Sequence, residues 1–204
     1  MKGNISADSS FYICNAFNLK RTDLLINYLD LYQFYAGPII FDNEITDIFI
    51  QHPEIRKKIT RVESPYSTAY TDLFKILSPR KKEHIEEDGE YEAIGLAIEL
   101  TLTKSLHSLI IDDNGPKNFA KIQIANLFPD LQGKIRGTVG FIRYCYVNDS
   151  VITKEQCIAH LTAIYERFLA YQIHGEIRRP CSMDAKFVKN TLLPLIKELE
   201  QTDE

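Results

Sequence analysis

Carboxylates standing where a strand stops are the residues of this chain best suited to chemistry. Asp8 ends the short strand-like stretch NISAD, and Asp42, Glu44 and Asp47 follow the run Ile39-Ile40-Phe41. Asp112 and Asp113 follow Leu109-Ile110-Ile111, and Glu90 and Glu92 open the segment GEYEAIGLAIEL. In an open parallel sheet, sites form beyond the carboxyl ends of the strands. Hard carboxylate oxygens there are what Mg²⁺ or Mn²⁺ requires, and Mg²⁺ keeps waters for an incoming phosphate. Two such ions ~4 Å apart activate water and stabilise the leaving oxygen of a phosphodiester. Each acid also has a plainer use, because Asp at a helix start caps orphan amides and complements the helix dipole. Spacing limits the combinations. Glu90 and Glu92, two apart on a helix, point about 200° apart. Asp112 and Asp113 diverge while the backbone stays extended, so that one ligates and the other caps. The Ser9 and Ser10 hydroxyls stand beside Asp8, where they could orient a carboxylate or a metal-bound water.

Other chemistry is thinly represented. The four cysteines, Cys14, Cys145, Cys157 and Cys181, have no C-x-x-C spacing, and no disulfide framework is expected. Cys157 and His160 stand three apart on a predicted helix with no second pair to complete a zinc site. His52, His84, His107 and His174 have no partner pattern, and there is no G-x-S-x-G, P-loop or dinucleotide fingerprint. The net charge of −4 excludes a sweeping basic surface for nucleic acid. Bound cations would nonetheless offset part of that charge. Local basic segments at 56–58, 80–82 and 178–179, with Tyr66 and Tyr70, could hold phosphates and stack bases. Asn114, Lys117 and Asn118 lie near a helix start, where a phosphate could also be held.

These residues need elements to carry them. After the first strand, Thr22 caps a helix over about 23–35, with Leu24, Leu25, Tyr28, Leu29 and Tyr32 on one face. Gly37-Pro38 breaks it. Ile39-Ile40-Phe41 reads as a strand buried on both faces, and Asp42 or Asn43 caps a helix that Pro53 ends. The stretch 54–88 is the least legible, with a helix near 68–77 closed by Ser78-Pro79. A helix over 89–100, a strand at 109–111, a helix near 117–127, a strand around 134–138 and a helix from Val139 follow. Alternation of this kind predicts α/β with a largely parallel sheet. Thr153 with Gln156 makes a capping-box pattern for a helix through His174, and a last helix from Asp184 bends at Pro194. The expected organisation is one α/β domain over 1–150, with a helical insertion at about 54–88, and C-terminal helices over 151–204 packed on it. No apolar run approaches the ~20 residues of a membrane span. The N-terminal stretch has no leader pattern, so a soluble, cytoplasmic protein is expected.

The ordered segments ADSSFYI, PIIFDNEITDIF, GEYEAIGLAIE, LIIDDNGPKNFAK and GTVGFIRY resemble PIN-domain-like proteins over about residues 4–150. Within that family they are closest to a subgroup with G-E-x-E-A-I, I-D-D and G-T-x-G motifs. The resemblance implies a three-layer α/β/α fold and a Mg²⁺- or Mn²⁺-dependent nuclease that hydrolyses RNA phosphodiesters with about four carboxylates. It also implies homodimers and, in many members, a VapC-like toxin with an antitoxin partner. Carried over by residue, Asp8 matches the first acid, Glu92 the acid of the A-x-x-x-A helix, and Asp113 the fourth, with Asp112 close behind. The second acid departs from the family pattern, since strict counting puts it at Ile48. Glu44 and Asp47 share a helix face, and Asp47, deeper in the helix, is the expected ligand. The irregular second acid, the acidic net charge and the apolar C-terminal helices define the alternative: a catalytically inactive PIN-like module for binding or assembly.

Overall fold

The computed structural model describes residues 2–77, 89–175 and 180–201. From the N-terminus, strand Asn4–Ala7 (β1) runs into helix Ser9–Ile13 (α1), which widens into a π turn over Cys14–Asn18. Helix Thr22–Leu31 (α2), strand Gln33–Ala36 (β2), a π-helical segment Ile39–Glu44, and helices Thr46–Gln51 (α3) and Pro53–Arg56 (α4) follow. Strand Ile59–Arg61 (β3), helices Pro65–Leu77 (α5) and Gly89–Thr103 (α6), and strand Leu106–Ile110 (β4) come next. Helix Asn114–Phe119 (α7) continues through a π turn into Ala125–Leu127 (α8), ahead of strand Ile135–Arg136 (β5) and helix Thr138–Val147 (α9). Helix Lys154–His174 (α10) precedes a last helical run of Ala185–Phe187 (α11), a π turn over Val188–Leu192, and Leu193–Gln201 (α12).

The strands form one five-stranded, wholly parallel sheet in the order β3-β2-β1-β4-β5. Strand order therefore reverses between β1 and β4, the place where open α/β sheets leave a crevice at the carboxyl edge. On one face α6 lies against β1 and β4 with α5 outside it. Residues 91–98 of α6 are all buried, which explains a sequence that is apolar around its whole circumference. Ser6 Oγ donates to the Ala93 carbonyl at 2.8 Å and ties β1 to that helix. The opposite face is aromatic. The Phe11 ring stacks on Phe34 at 5.5 Å and meets Phe141 edge-on at 5.7 Å, and Tyr28 meets Phe141 at 5.4 Å. Helix α10 packs outside α9 and against α12, so the C-terminal extension adds to the same core.

Thr153 and Gln156 close the expected capping box, and Gly175, at φ 65°, ends α10 in the left-handed conformation. Where a bend is expected at Pro194, a π turn over Val188–Leu192 precedes the proline, which has no N–H to donate.

Several elements differ from the sequence expectation. The helix expected through residue 35 stops at Leu31, and Gln33–Ala36 is the second strand instead. Ile39-Ile40-Phe41, expected as that strand, is helical: Pro38 sits comfortably at a helix start, and Glu92 caps the amides that follow it. The 54–88 insertion is not purely helical. Its strand β3 forms the sheet edge, three residues of which only Ile59 is buried. Residues 78–88, including Arg80-Lys81-Lys82 and His84, and the pair Arg178-Arg179 lie outside the described residues. Cys14 and Cys181 are joined in a disulfide with Cα atoms 5.8 Å apart, against the expectation of none, while Cys145 and Cys157 are free and buried. The pairing is invisible in sequence because 167 positions separate the partners. No helix among the described residues is long and apolar enough to cross a membrane.

Candidate functional site

The crevice between β1 and β4 is closed by two buried carboxylates. Asp8 leaves β1 in an extended conformation and caps α1, its Oδ1 accepting from Phe11 N at 3.2 Å. Its Oδ2 accepts from Asp112 N at 3.0 Å, and its own N–H donates to the Ile110 carbonyl at 3.0 Å. Asp112 passes the link onward to α9. Its Oδ1 accepts from Thr138 N at 2.7 Å and its Oδ2 from Thr138 Oγ1 at 2.5 Å. Gly137 permits this approach, since a Cβ there would lie 3.0 Å from Asp112 Oδ1. The Lys117 ammonium donates to the Asp112 carbonyl at 3.0 Å. Two acids at strand ends thus hold β1, β4 and the start of α9 together.

The other acids are distributed around this pair. Glu92 is engaged with the segment that follows β2. Its two carboxylate oxygens accept from Ile39 N and Ile40 N, both at 2.8 Å, and a side chain at Gly37 would overlap its carboxyl. Glu90, on the opposite side of α6, is the member of that pair whose charge acts on Asp8. Glu44 lies against the start of α6, accepting from Gly89 N at 3.2 Å. Asp47 is exposed on α3. Asp42 is exposed and paired with Arg61 at 2.7 Å. Asp113 caps α7, accepting from Gly115 N at 2.8 Å. Of Asp8, Asp47, Glu92, Asp112 and Asp113, the structure brings Asp8 and Asp112 into one hydrogen-bonded unit, with Glu90 and Lys117 as electrostatic neighbours. Thr138, within GTVGFIRY, has no role visible in the sequence. Its use as the donor to Asp112 depends on a contact 26 positions away.

Burial decides the electrostatics. The Asp8 carboxyl is pushed well above the usual carboxylate range by loss of solvent, then by the charges of Asp112 and Glu90, against the pull of two backbone N–H groups. Burial also raises Asp112, while the Thr138 hydroxyl and amide and the Lys117 charge hold it back. Burial foremost lowers the Lys117 ammonium, with Lys121 adding to it, while Asp112, Asp8 and Asp113 oppose.

Mg²⁺ or Mn²⁺ here would have to share oxygens that are already engaged. The Asp8 and Asp112 oxygens already accept N–H and O–H donors, and Lys117 supplies the local positive charge. Among the described residues no group of three or more His, Cys, Asp or Glu is arranged to hold a metal ion. Removing the second donor to Asp112 isolates one of these bonds. Thr138→Val is expected to lower stability by about 1–3 kcal/mol, because Asp112 Oδ2 stays buried without its hydroxyl. An unchanged urea midpoint would show that this oxygen is not held by Thr138.

Of the features singled out for RNA, Arg56, Lys58 and Tyr70 are engaged within the fold, while the Tyr66 side chain lies outside what the structure describes. Arg56 lies over the Phe41 and Phe49 rings at 5.6 and 5.8 Å, and Lys58 pairs with Asp30. The Tyr70 ring stacks on Phe74 at 6.2 Å and meets Phe128 edge-on at 5.7 Å. His160 has Nδ1 3.1 Å from the Tyr28 hydroxyl and Nε2 2.8 Å from Asn15 Oδ1, so both nitrogens are used and no zinc pair with Cys157 forms. No family model matches the chain, and neither a curated protein nor a solved structure is significantly similar to it.

Proposed function

We propose that this chain is a PIN-like binding or assembly module, in which the strand-end acids brace the fold where a catalytic member would hold metal. The observation that carries the reading is the double engagement of Asp112 by Thr138, continued through Asp8 to Phe11. Groups committed to holding β1, β4 and α9 in register are poorly placed to exchange partners during a reaction. The partners of such a module are a second copy of the chain and an antitoxin-like or larger complex. Side chains such as Leu73 and Ile76 on α5, 45% and 78% exposed, offer apolar surface for them. A cytoplasmic setting belongs to the same reading, with the Cys14–Cys181 bond then under a reducing poise.

A second reading, a Mg²⁺- or Mn²⁺-dependent endoribonuclease, is favoured by one observation. Asp8 and Asp112 are buried side by side with the Glu90 charge acting on Asp8, a cost that a divalent cation would relieve.

One experiment separates the two. The purified chain, Asp8→Asn and Glu90→Gln are incubated with end-labelled mixed-sequence single-stranded RNA in Mn²⁺, Mg²⁺ or EDTA, and their melting temperatures are compared. The module reading expects no metal-dependent internal cleavage and no metal-induced rise in melting temperature. Cleavage that needs metal and disappears in both variants would overturn it in favour of the nuclease.

A further inference from the structure

We propose that a cavity behind Asp112, between α7, the β5–α9 junction and the C-terminal segment, binds a nucleoside monophosphate. The cavity encloses about 300 Å³, at the small end of the range for ligand pockets. That volume suits a single nucleotide-sized molecule better than an oligomer. It shares Asp112 and Lys117 with the strand-end cluster and extends from there to the C-terminal segment. The proposal deepens the binding-module reading by naming a ligand class for it.

Charge sets one end of the ligand. Lys117 and Lys121, one turn apart, line the cavity with Arg143 from α9; Lys117 gives one of its three N–H donors to the Asp112 carbonyl and keeps two for a ligand. The two acids on its wall are already occupied by donors: Asp112 by Thr138, and Asp184 by Phe187 N at 2.7 Å as it caps α11. Arg136 is left out of the cation count. Its guanidinium lies 3.7 Å from the Tyr144 ring centre and donates to Ser108 Oγ. Arg143 has an acidic neighbour, Glu198, but at 3.8 Å and largely in water, where the pair holds the guanidinium only weakly. A concave wall on which three cations outnumber two hydrogen-bonded acids favours an anion, and a phosphomonoester matches several N–H donors at once.

The remaining wall sets the other end. Ile135, Val139, Met183, Phe187 and Leu195 present an apolar surface with one aromatic ring. Asn114, Ser182 and Thr191 add neutral donors and acceptors. A bare acyl chain would leave those three polar side chains unanswered, whereas a base and ribose offer them partners while resting on Phe187 and Met183.

The test is calorimetric titration of the full chain in EDTA with AMP and UMP, each beside its nucleoside and inorganic phosphate. Working without divalent metal keeps the result independent of the ribonuclease question. Two variants accompany the wild type. Gly140→Leu extends into the cavity that Gly140 lines: a Cβ there meets only Arg136 Cβ, at 3.8 Å, and leucine favours the helix. Lys121→Gln removes an exposed cation and leaves the core untouched. The expected result is that at least one monophosphate binds about tenfold or more tighter than its nucleoside and than phosphate. Lys121→Gln should weaken that binding about tenfold and Gly140→Leu should abolish it, with melting temperatures unchanged. No monophosphate binding, equal binding of the nucleoside or of phosphate, or binding that survives Gly140→Leu would each overturn the proposal. A Gly140→Leu chain that fails to fold leaves the decision to Lys121→Gln, whose unchanged affinity would also overturn it.

Discussion

Lowering the pH from 7 to 5 is expected to cost the wild-type chain about 2 kcal/mol more stability than it costs His160→Gln. The imidazole, carried by α10, lies in the core between the π turn after α1 and α2. Asn15 donates through Nδ2 to the Phe11 carbonyl at 2.8 Å, which leaves Oδ1 to accept from His160 Nε2–H. Nδ1 then accepts from the Tyr28 hydroxyl, so the neutral ring satisfies both neighbours. Burial, and then the Arg21 charge, push its pKa down to about 3, with Asp23 opposing weakly. The unfolded chain takes up a proton on this side chain near pH 6.5 and the folded chain does not. The contribution is therefore complete above pH 6.5 and is lost progressively as the pH falls towards 3. Asp8 and Asp112 act in the opposite sense. Their raised pKa values give stability that is present below the ordinary carboxylate range and is lost as the pH rises. Both proteins carry those acids, so the difference between them isolates His160. Urea midpoints at the two pH values measure it. Equal losses in wild type and variant would mean that the ring is charged in the folded state.

How much of this was legible in sequence depended on whether the deciding contact was local. The capping box at Thr153 and Gln156 closes within one turn, and α10 is where it was expected. The same holds for β1, which stops at Asp8, and for α6 and α9, whose patterns are complete within themselves. β2 was hidden because Phe34, Tyr35 and Ala36 extend the apolar pattern of α2 without a visible break. Ile39-Ile40-Phe41 looks like a buried strand on composition alone. What makes it helical is Glu92, 53 positions beyond Ile39, whose carboxylate satisfies the orphan amides.

The site shows the same division. Asp8 and Asp112 could be read as strand-end acids because a strand end is a local feature. That Glu90 and Glu92 face opposite ways follows from helix geometry, but which one faces Asp8 depends on where Gly37 and Ile40 come to rest. Asp47 is preferred to Glu44 in sequence for a similar reason, and the structure differs: the π-helical segment before α3 brings Glu44 to Gly89 and leaves Asp47 in solvent. A plain α-helix from a strand end at Phe41 would have rotated that face differently.

Opening the Cys14–Cys181 bond is expected to lower stability by about 4 kcal/mol, through the freedom that a very long loop regains when the chain unfolds. The two cysteines are 167 positions apart, and both are buried where the C-terminal segment crosses the π turn after α1. The bond also holds an unfavourable backbone. Cys181 and Ser182 have φ values of 49° and 48°, the left-handed region that non-glycine residues avoid. Released from Cys14, these residues have reason to relax, and Cys181, Ser182 and Met183 form one wall of the cavity behind Asp112. Reduction is therefore expected both to lower the urea midpoint and to weaken AMP binding relative to the oxidised chain, and Cys14→Ser/Cys181→Ser should reproduce both effects without reductant. Thiol titration of the denatured, unreduced protein provides the control, with two reactive thiols expected from Cys145 and Cys157. Four reactive thiols, or a midpoint that ignores reductant, would remove the cross-link from the forces that hold the C-terminal segment in place.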